Sequence, residues 1–137
     1  MIRALTIDEI ASAEFRHLLW LAVEVDDAEL DQIARDELPR LTIRGVAESG
    51  RVVAFVAFDA DADPLTIEYI AVDEDAQGRG HGSALVEAVR DHAGGRVVYA
   101  RTDDDAVDFY RRIGFVITDH EPDPRWPDRP RYECVLL

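Results

Sequence analysis

The sequence contains no lysine, a single cysteine and no long hydrophobic run. All 15 basic residues are arginine, which excludes sites that depend on lysine, such as Walker-type phosphate loops, Schiff-base enzymes and pyridoxal-phosphate anchors. Cys134 alone cannot form an intrachain disulfide, and such sparse cysteine is typical of a reducing setting. A membrane-spanning helix needs about 18 consecutive apolar residues, and neither such a run nor a signal-peptide core is present. We therefore expect a cytoplasmic protein with no membrane partner.

The acidic residues are unevenly distributed along a chain whose net charge is −14. Residues 1–75 contain 18 acidic residues and 6 arginines, a net charge of −12, whereas residues 76–137 contain 11 and 9, a net charge of −2. Because the first part repels polyanions, nucleic acid is not an expected partner, and a phosphorylated ligand would fit the second part better. The excess of acid is better explained as a solubility device, for example in a high-salt cytoplasm, than as a means of steering ligands.

The length and composition predict one domain over residues 1–137, because a chain with 47% hydrophobic residues of this length buries one core. Periodicity and turn residues predict an α/β fold with one mixed sheet covered by helices, in the order β-α-α-β-β-β-α-β-α-β-β. The expected strands cover residues 2–6, 42–48, 51–58, 65–72, 96–101, 115–118 and 131–137. The expected helices cover residues 7–25, 27–38, 83–93 and 106–113.

Capping signals and inward-facing positions describe the helices further. Thr6 and Glu9 have the spacing of a capping box, and the run from Asp103 to Asp105 is expected to cap the helix at 106–113. Helical periodicity places several residues inward, among them His17, Ala34, Ala84 and His92. The four histidines form no ligand cluster with Cys134, which is expected to be buried, so no metal site is predicted.

The segment Leu65–Val72 is the clearest strand in the sequence. Strict alternation directs one set of side chains to each face of the sheet. One face is expected to carry Leu65, Ile67, Tyr69 and Ala71, and the other Thr66, Glu68, Ile70 and Val72.

A glycine-rich loop, Gln77-Gly-Arg-Gly-His-Gly82, separates this strand from the next helix. Glycines let a ligand approach the backbone N–H groups closely, and a helix N-terminus favours an anion, so the loop predicts a phosphate or diphosphate site. The dinucleotide-binding pattern needs glycines at positions i, i+2 and i+5. From Gly78 the third position is Ser83 and from Gly80 it is Leu85, so a Rossmann fold is excluded.

Two motifs together resemble those of the GNAT superfamily of acetyltransferases. Ile70-Ala-Val72, followed after four residues by Gln77-x-x-Gly80-x-Gly82, is similar to that family's coenzyme A loop. Ala106-Val-Asp-Phe-Tyr110-Arg-Arg-Ile-Gly-Phe115 is similar to its second signature. The resemblance implies a sheet that splays beside the glycine loop, with acetyl-CoA entering between the strands at 65–72 and 96–101. It also implies an enzyme that transfers an acetyl group to an amine, without a metal.

The resemblance assigns the cofactor site residue by residue. The backbone around Ile70, Ala71 and Val72 would pair with the pantetheine arm, and a backbone N–H near Val72 would stabilise the oxyanion. The main chain of residues 77–83 would hold the diphosphate, a set comprising Gln77, Gly78, Arg79, Gly80, His81, Gly82 and Ser83. Asp103 stands where the family often has a cofactor-binding asparagine but lacks that residue's two amide donors, so Asp103 is either a cofactor contact or a helix cap.

Two side chains are candidates for the chemistry. Tyr110 matches the family's tyrosine and would protonate the leaving thiolate, since a phenol with a pKa of about 10 is protonated at neutral pH; the alternative is a packing role beside Phe109. Glu68 would deprotonate the amine directly or through water, or else orient a cationic acceptor. The acceptor is expected to be a primary amine, cationic in solution, of a small molecule or protein.

Other residues leave alternatives open. Arg79, Arg111 and Arg112 are candidates for contacts with phosphates, although Arg111 and Arg112 also suit a solvated helix face. The proline-rich loop at 119–130, with Trp126, either borders the acceptor pocket or is a rigid surface loop. A non-catalytic acyl-CoA-binding module and a transferase with another acyl donor or an oxygen acceptor are the alternative functions. A homodimer is compatible with the resemblance.

Overall fold

The computed structural model describes residues 1–137 as a seven-stranded mixed sheet with helices on both faces. The strands lie in the order β1-β2-β3-β4-β5-β7-β6, and only β4 and β5 are parallel. The strands are β1 Arg3–Ala4, β2 Thr42–Glu48, β3 Arg51–Asp59, β4 Leu65–Val72, β5 Val98–Asp103, β6 Val116–His120 and β7 Arg131–Leu136. The helices are α1 Ile7–Ile10, α2 Ala13–Val23, α3 Asp27–Gln32, α4 His81–Ala93 and α5 Val107–Ile113. The predicted α/β class and order of elements are confirmed, with one predicted helix divided in two.

The sheet separates two hydrophobic clusters. Helices α4 and α5 cover one face, where 18 buried residues pack, including Val56, Leu85 and Val98. Helices α2 and α3 cover the other face, where nine buried residues pack, including Leu18 and Phe55. Burial on both faces explains why β3 is a continuous hydrophobic run rather than an alternating one. None of the helices has the length and hydrophobicity that crossing a membrane requires.

The helix predicted at residues 7–25 is two helices. The capping box at Thr6 and Glu9 is present as predicted, but α1 ends after one turn, and Ser12 starts α2 by accepting a hydrogen bond from the Phe15 N–H at 3.2 Å. The break rotates the buried face, so that Phe15, Leu18 and Leu19 point inward. His17 was predicted to be in the core and is instead exposed, with its Nε2 atom 2.8 Å from a Glu74 oxygen.

Two more helical predictions need correction. The helix predicted at 27–38 is α-helical only to Gln32 and then continues as a π-helical turn, Ile33–Glu37, and a 3-10 turn, Leu38–Arg40. Widening the turn keeps Ile33 and Leu38 buried while Ala34, predicted to point inward, is exposed. In α4, Val86 rather than Ala84 is buried, and His92 is exposed with its ring edge against Phe58.

The strand predicted at 96–101 begins two residues later, because Arg96 lies in the turn before it and bonds a neighbouring loop. Its guanidinium donates hydrogen bonds to the carbonyl oxygens of Ala60 and Ala62 at 2.6 and 2.9 Å. The strand then extends to Asp103, which pairs with Arg131 of β7. The strand predicted at 115–118 is likewise displaced, to Val116–His120, and it pairs with β7. The strand predicted at 2–6 is only Arg3–Ala4.

Strand β4 has the predicted bounds but not the predicted faces. Its register with β3 shifts between Ala57 and Phe58, since Ala57 pairs with Tyr69 and Phe58 pairs with Ile67. Glu68 is therefore the extra residue of a β-bulge, which breaks the two-residue alternation. Leu65 and Ile67 lie on the α4 side together with Ile70 and Val72, while Tyr69 and Ala71 pack on the α2 side. The charges that act on Glu68 include those of Glu37 and Arg40, which follow α3, so Glu68 does not share a face with Ile70 and Val72.

Candidate active site

The candidate site begins where β4 and β5 separate. These parallel strands pair only at Leu65 with Val98, Thr66 with Tyr99 and Ile67 with Ala100. Beyond Ile67 the edge of β4 has no neighbouring strand, and the bulge at Glu68 lies at this point of divergence. The predicted splay is therefore present, and it opens a cleft in the middle of the sheet.

The free edge of β4 offers backbone groups at alternate residues. The Asp73 N–H donates to the Val53 carbonyl at 2.8 Å, so residues 73, 71 and 69 form the hydrogen-bonded pairs with β3. The N–H and C=O groups of Ile70 and Val72 consequently point into the cleft, whereas those of Ala71 are used by the sheet. The Val72 carbonyl accepts a hydrogen bond from the Gln77 side-chain amide at 3.2 Å.

The glycine loop turns sharply between a 3-10 turn, Glu74–Ala76, and the N-terminus of α4. Gly78 and Gly80 have φ angles of +81° and +83°, a region that costs residues with a Cβ atom free energy. A Cβ at either position would contact nothing within 4 Å. Because Gly80 is the N-cap of α4 and no side chain bonds the first N–H groups, these donors remain open toward the cleft.

Gly82 has a different role from the other two glycines. A Cβ there would lie 2.5 Å from Cε1 and 2.9 Å from Cζ of Phe109. The missing side chain therefore makes room for the aromatic ring of the second motif, rather than for a ligand. This contact joins α4 to α5 at the floor of the cleft.

The cleft continues into a cavity of about 680 Å³ between β4, the glycine loop and α5. Ten of its lining residues are predicted cofactor residues: Ile70, Ala71, Val72, Gln77, Gly78, Gly80, His81, Gly82, Ser83 and Tyr110. Ala106, Phe109 and Ile113 line the cavity as well, and with Tyr110 they repeat at positions i, i+3, i+4 and i+7. That helical spacing is the signal in the sequence that could have identified them.

Three predicted site residues lie outside this cavity. Arg79 points away from it and pairs with Glu48, at 2.9 Å, and with the Asp75 carbonyl. Asp103 accepts from the Asp105 N–H at 3.0 Å, whereas the N-cap of α5 is Ala106 and carries no side-chain cap. The cap predicted from Asp103 to Asp105 is therefore wrong. Glu68 also lies outside the cavity, and the charges that act on it include Glu37 and Arg40 on the α3 side of the sheet.

Tyr110 is almost buried, with 4% of its surface exposed. Its ring packs edge-on against Phe109 and Phe115, with centroids 5.2 and 5.1 Å away. The hydroxyl makes no hydrogen bond within the chain, its titratable neighbour is Cys134, and the residue lines the cavity. Burial raises the pKa of Tyr110, so the phenol stays protonated at neutral pH with its proton unused by the protein.

Glu68 stands at the mouth of the cleft on the α2 and α3 side. Desolvation raises its pKa, and the negative charges of Glu37 and Asp59 raise it further. Neighbouring Tyr69 donates a hydrogen bond from its hydroxyl to Glu37 at 2.6 Å. A carboxylate with a raised pKa at the point of strand divergence is suited to accept a proton from an amine or to hold an ammonium group.

His81 is the first residue of α4 and its side chain is mostly buried, with 16% exposed. Its Nε2 atom is buried without a hydrogen-bond partner and lies 3.7 Å from a Glu48 oxygen. Arg112 lines the cavity, whereas Arg111 pairs with Asp108 on the helix surface. Of the two arginines, Arg112 is thus the one available to an anionic ligand.

Groups capable of other chemistry lie apart from the cavity. His17, Asp73 and Glu74 place one potential ligand atom each within 4.8 Å of one another, a grouping that the sequence spacing did not reveal. Cys134 is buried, as predicted, and burial raises its pKa to about 11. In the loop at 121–130, Arg125 lies over the Trp126 ring at 4.5 Å, and both side chains are exposed.

Comparison with known proteins agrees with this geometry. Residues 42–117 match the sequence profile of the acetyltransferase (GNAT) domain. An aminoglycoside 6'-N-acetyltransferase complexed with coenzyme A is similar in structure, with a TM-score of 0.78, 15% identity, and 99% and 96% of the two chains covered. The ribosomal-protein-S18-alanine N-acetyltransferase from Escherichia coli has a TM-score of 0.73 at 21% identity, covering 99% of this chain and 92% of its own.

A GNAT family acetyltransferase from Elizabethkingia anophelis with acetyl-CoA bound has a TM-score of 0.73 at 19% identity, and the match covers 99% of this chain and 96% of that one. No curated protein matches the sequence significantly. The profile covers more than half of the 137 residues, and it spans both the splayed strands and the glycine loop. The chain belongs to the GNAT family of acetyltransferases.

Proposed function

We propose that residues 1–137 form a single N-acetyltransferase domain that moves the acetyl group of acetyl-CoA to a primary amine by direct attack. The observation that carries the proposal is one continuous cavity, in which the free edge of β4, the glycine turn and the Tyr110 hydroxyl meet. The acceptor, a small molecule or a protein amino group, arrives as an ammonium cation and reaches the cleft from the side of Glu68.

The cavity provides complementary groups for each part of the acetyl donor. The backbone groups of Ile70 and Val72 that point into the cleft extend the sheet to an amide-containing arm, as an added strand would. The open N–H groups at the start of α4 and the cavity-facing Arg112 suit a diphosphate. Of these groups the Val72 carbonyl accepts a hydrogen bond from the Gln77 side chain, which would have to yield to the donor, and the others are not used by the fold.

On the acceptor side, the ammonium must lose a proton before its nitrogen can attack the thioester carbonyl. Glu68 receives this proton directly or through water. Its raised pKa makes the carboxylate a stronger base than that of an ordinary glutamate, whose pKa is about 4.3. The alternative contribution of Glu68 is to orient the cation. In both cases the C–N bond forms as the C–S bond breaks.

On the donor side, the leaving sulfur takes a proton or a hydrogen bond from Tyr110. The thiolate of a thiol with a pKa of about 8.5 is a weaker base than a phenolate, so full proton transfer from Tyr110, whose pKa is raised, is uphill. The attacking nitrogen then loses its second proton, which goes to the sulfur, either directly or by replacing the proton that Tyr110 has given, and an amide and a neutral thiol are left. A hydrogen bond from an otherwise unpartnered hydroxyl stabilises the developing thiolate in a site with little water.

Direct attack is favoured over an acetyl-enzyme intermediate. The single cysteine is buried and does not line the cavity, and its pKa of about 11 keeps the thiol protonated. A covalent intermediate needs an activated nucleophile beside a base, and the cavity lining presents no such pair. The amine and the thioester must then be bound together in one complex.

The test of this function is the Tyr110→Phe variant, with Tyr132→Phe as its control. Tyr132 loses a hydroxyl that bonds Asp104 outside the cavity, so its variant should retain kcat. Tyr110→Phe should retain acetyl-CoA binding by calorimetry and its melting temperature, while kcat falls by about 100-fold or more. A non-catalytic acyl-CoA-binding module would bind acetyl-CoA but release no thiol with any amine. An unaltered kcat in Tyr110→Phe would remove the tyrosine from the mechanism.

A further inference from the structure

The polar face of β5 meets the acceptor side of the cleft at Arg101. Ala100 and Thr102 are buried, and Ala100 belongs to the cluster beneath α4. Alternation along the strand therefore directs Arg101 to the other face, where Glu68 also lies. Arg101 follows the last paired residue of β5, and Glu68 follows the last paired residue of β4. The two side chains thus stand on opposite walls where the strands diverge.

The guanidinium of Arg101 is oriented but not neutralised. Its Nε atom donates to the Tyr99 hydroxyl at 3.0 Å, and that hydroxyl donates to Glu133 at 3.0 Å. These are the bonds that hold the side chain, and its two terminal nitrogens make no hydrogen bond within the chain. No carboxylate lies within 4.0 Å of Arg101, although the chain has 29 acidic residues.

Nine of the 15 arginines have a carboxylate within 4.0 Å, and Arg101 is one of the six that do not. Arg3, Arg79 and Arg125 each hold a carboxylate at 2.8 to 3.0 Å. Arg101 instead has two opposing charges near it, Glu133 behind the Tyr99 hydroxyl and Glu68 across the cleft, and both are too far away for an ion pair. A preorganised guanidinium with two free nitrogens matches the two oxygens of a carboxylate.

We propose that Arg101 binds a carboxylate of the acceptor, so that the acceptor is an amine of the amino-acid type. This inference rests on the proposed function and identifies its substrate class. The ammonium group lies toward Glu68 and the carboxylate toward Arg101, so that one zwitterion satisfies both charges across the cleft. An acceptor with several amines and no carboxylate would leave Arg101 unpaired and repelled by the ligand.

The experiment compares α-, β- and ω-amino acids with their carboxamides and with the amines that lack the carboxylate, including polyamines. Thiol release from acetyl-CoA is measured for wild type, Arg101→Gln, Arg101→Lys and the control Arg90→Gln, whose side chain lies on the surface of α4. Amino acids should be preferred to their carboxamides. Arg101→Gln should raise the KM for the amino acid by about tenfold or more, leave the KM for acetyl-CoA unchanged and lose the preference over the carboxamide. Arg101→Lys should recover part of the affinity, and Arg90→Gln should match wild type.

The failure of this inference differs from the failure of the proposed function. Transfer to polyamines or carboxamides with no transfer to any amino acid would overturn the carboxylate site, as would an Arg101→Gln variant with unaltered acceptor KM. The acetyltransferase assignment would stand in both cases. If instead acetyl-CoA did not bind and no amine were acetylated, the proposed function itself would fail. Because Arg101 is exposed, melting curves should show that its variants are folded.

Discussion

The contact between Gly82 and Phe109 joins the two motifs of the site, and the Gly82→Ala substitution tests it directly. The added methyl group would lie 2.5 and 2.9 Å from two ring carbons of Phe109. Real Cβ atoms do not approach carbon so closely, so the ring or the start of α4 must move. Both line the cavity, and a shift of either changes the space available to the acetyl donor.

Two opposing effects determine the stability of this variant. Alanine is favoured over glycine in a helix by about 0.5–1 kcal/mol, and this gain is at its smallest in the first turn of α4. Overpacking a close contact costs about 1–3 kcal/mol. The clash therefore outweighs the helix preference, and we expect Gly82→Ala to lose about 1–2 kcal/mol of unfolding free energy. The KM for acetyl-CoA should rise at the same time.

Urea unfolding and acetyl-CoA titration of four proteins would measure the effect: wild type, Gly82→Ala, Phe109→Leu and the double variant. Leucine is smaller than phenylalanine and leaves room for the methyl group. The double variant should then lose less unfolding free energy than the two single variants lose together, which is a favourable coupling between neighbours. A Gly82→Ala protein as stable as wild type and with an unaltered KM, or strict additivity in the cycle, would refute the steric reasoning.

Two further predictions concern titrating groups. Hydrogen bonds from Arg3 and the Thr6 N–H lower the pKa of Glu9 to about 2, so the stability it contributes is present above the unfolded pKa of about 4.5 and is lost as the pH falls toward 2. Unfolding curves of wild type and Glu9→Gln should differ at neutral pH and converge over that range; a constant difference would contradict the assignment. The raised pKa of Glu68 predicts that kcat/KM falls on the acidic side of neutrality. In Glu68→Gln this fall should disappear, with a loss of kcat if Glu68 is the base and mainly a rise in acceptor KM if it orients the cation.

Much of the fold follows from local patterns. The capping box at Thr6 and the bounds of β4 are present as predicted, and glycines in the left-handed region, Gly94 and Gly114, end helices α4 and α5. These features depend on residues within one turn or one strand, so the interactions that stabilise them join residues close together in the sequence. The helix boundaries in residues 7–40 were predicted less well, because packing against the sheet decided where each turn widened or stopped.

The faces of β4 show why some of the site could not be predicted. Alternation assumes a regular strand, and it placed Glu68 beside Ile70 and Val72. The bulge that moves Glu68 to the other face exists only in the register with β3. A residue can be counted as extra only when its partner strand is known. The sequence identified Glu68 and Tyr110 as candidates, but their positions relative to each other required the assembled sheet.

By itself the sequence determined the order of elements, the glycine turn and the two acetyltransferase motifs, because each depends on residue types at fixed short spacing. Only the tertiary structure decided that Gly82 accommodates Phe109, that β4 and β5 separate after Ile67 and Ala100, and that Arg101 faces Glu68 across the resulting cleft. Each of these is a relation between residues that are 27 to 33 positions apart. Such relations arise from strand pairing and side-chain packing, which no local pattern encodes.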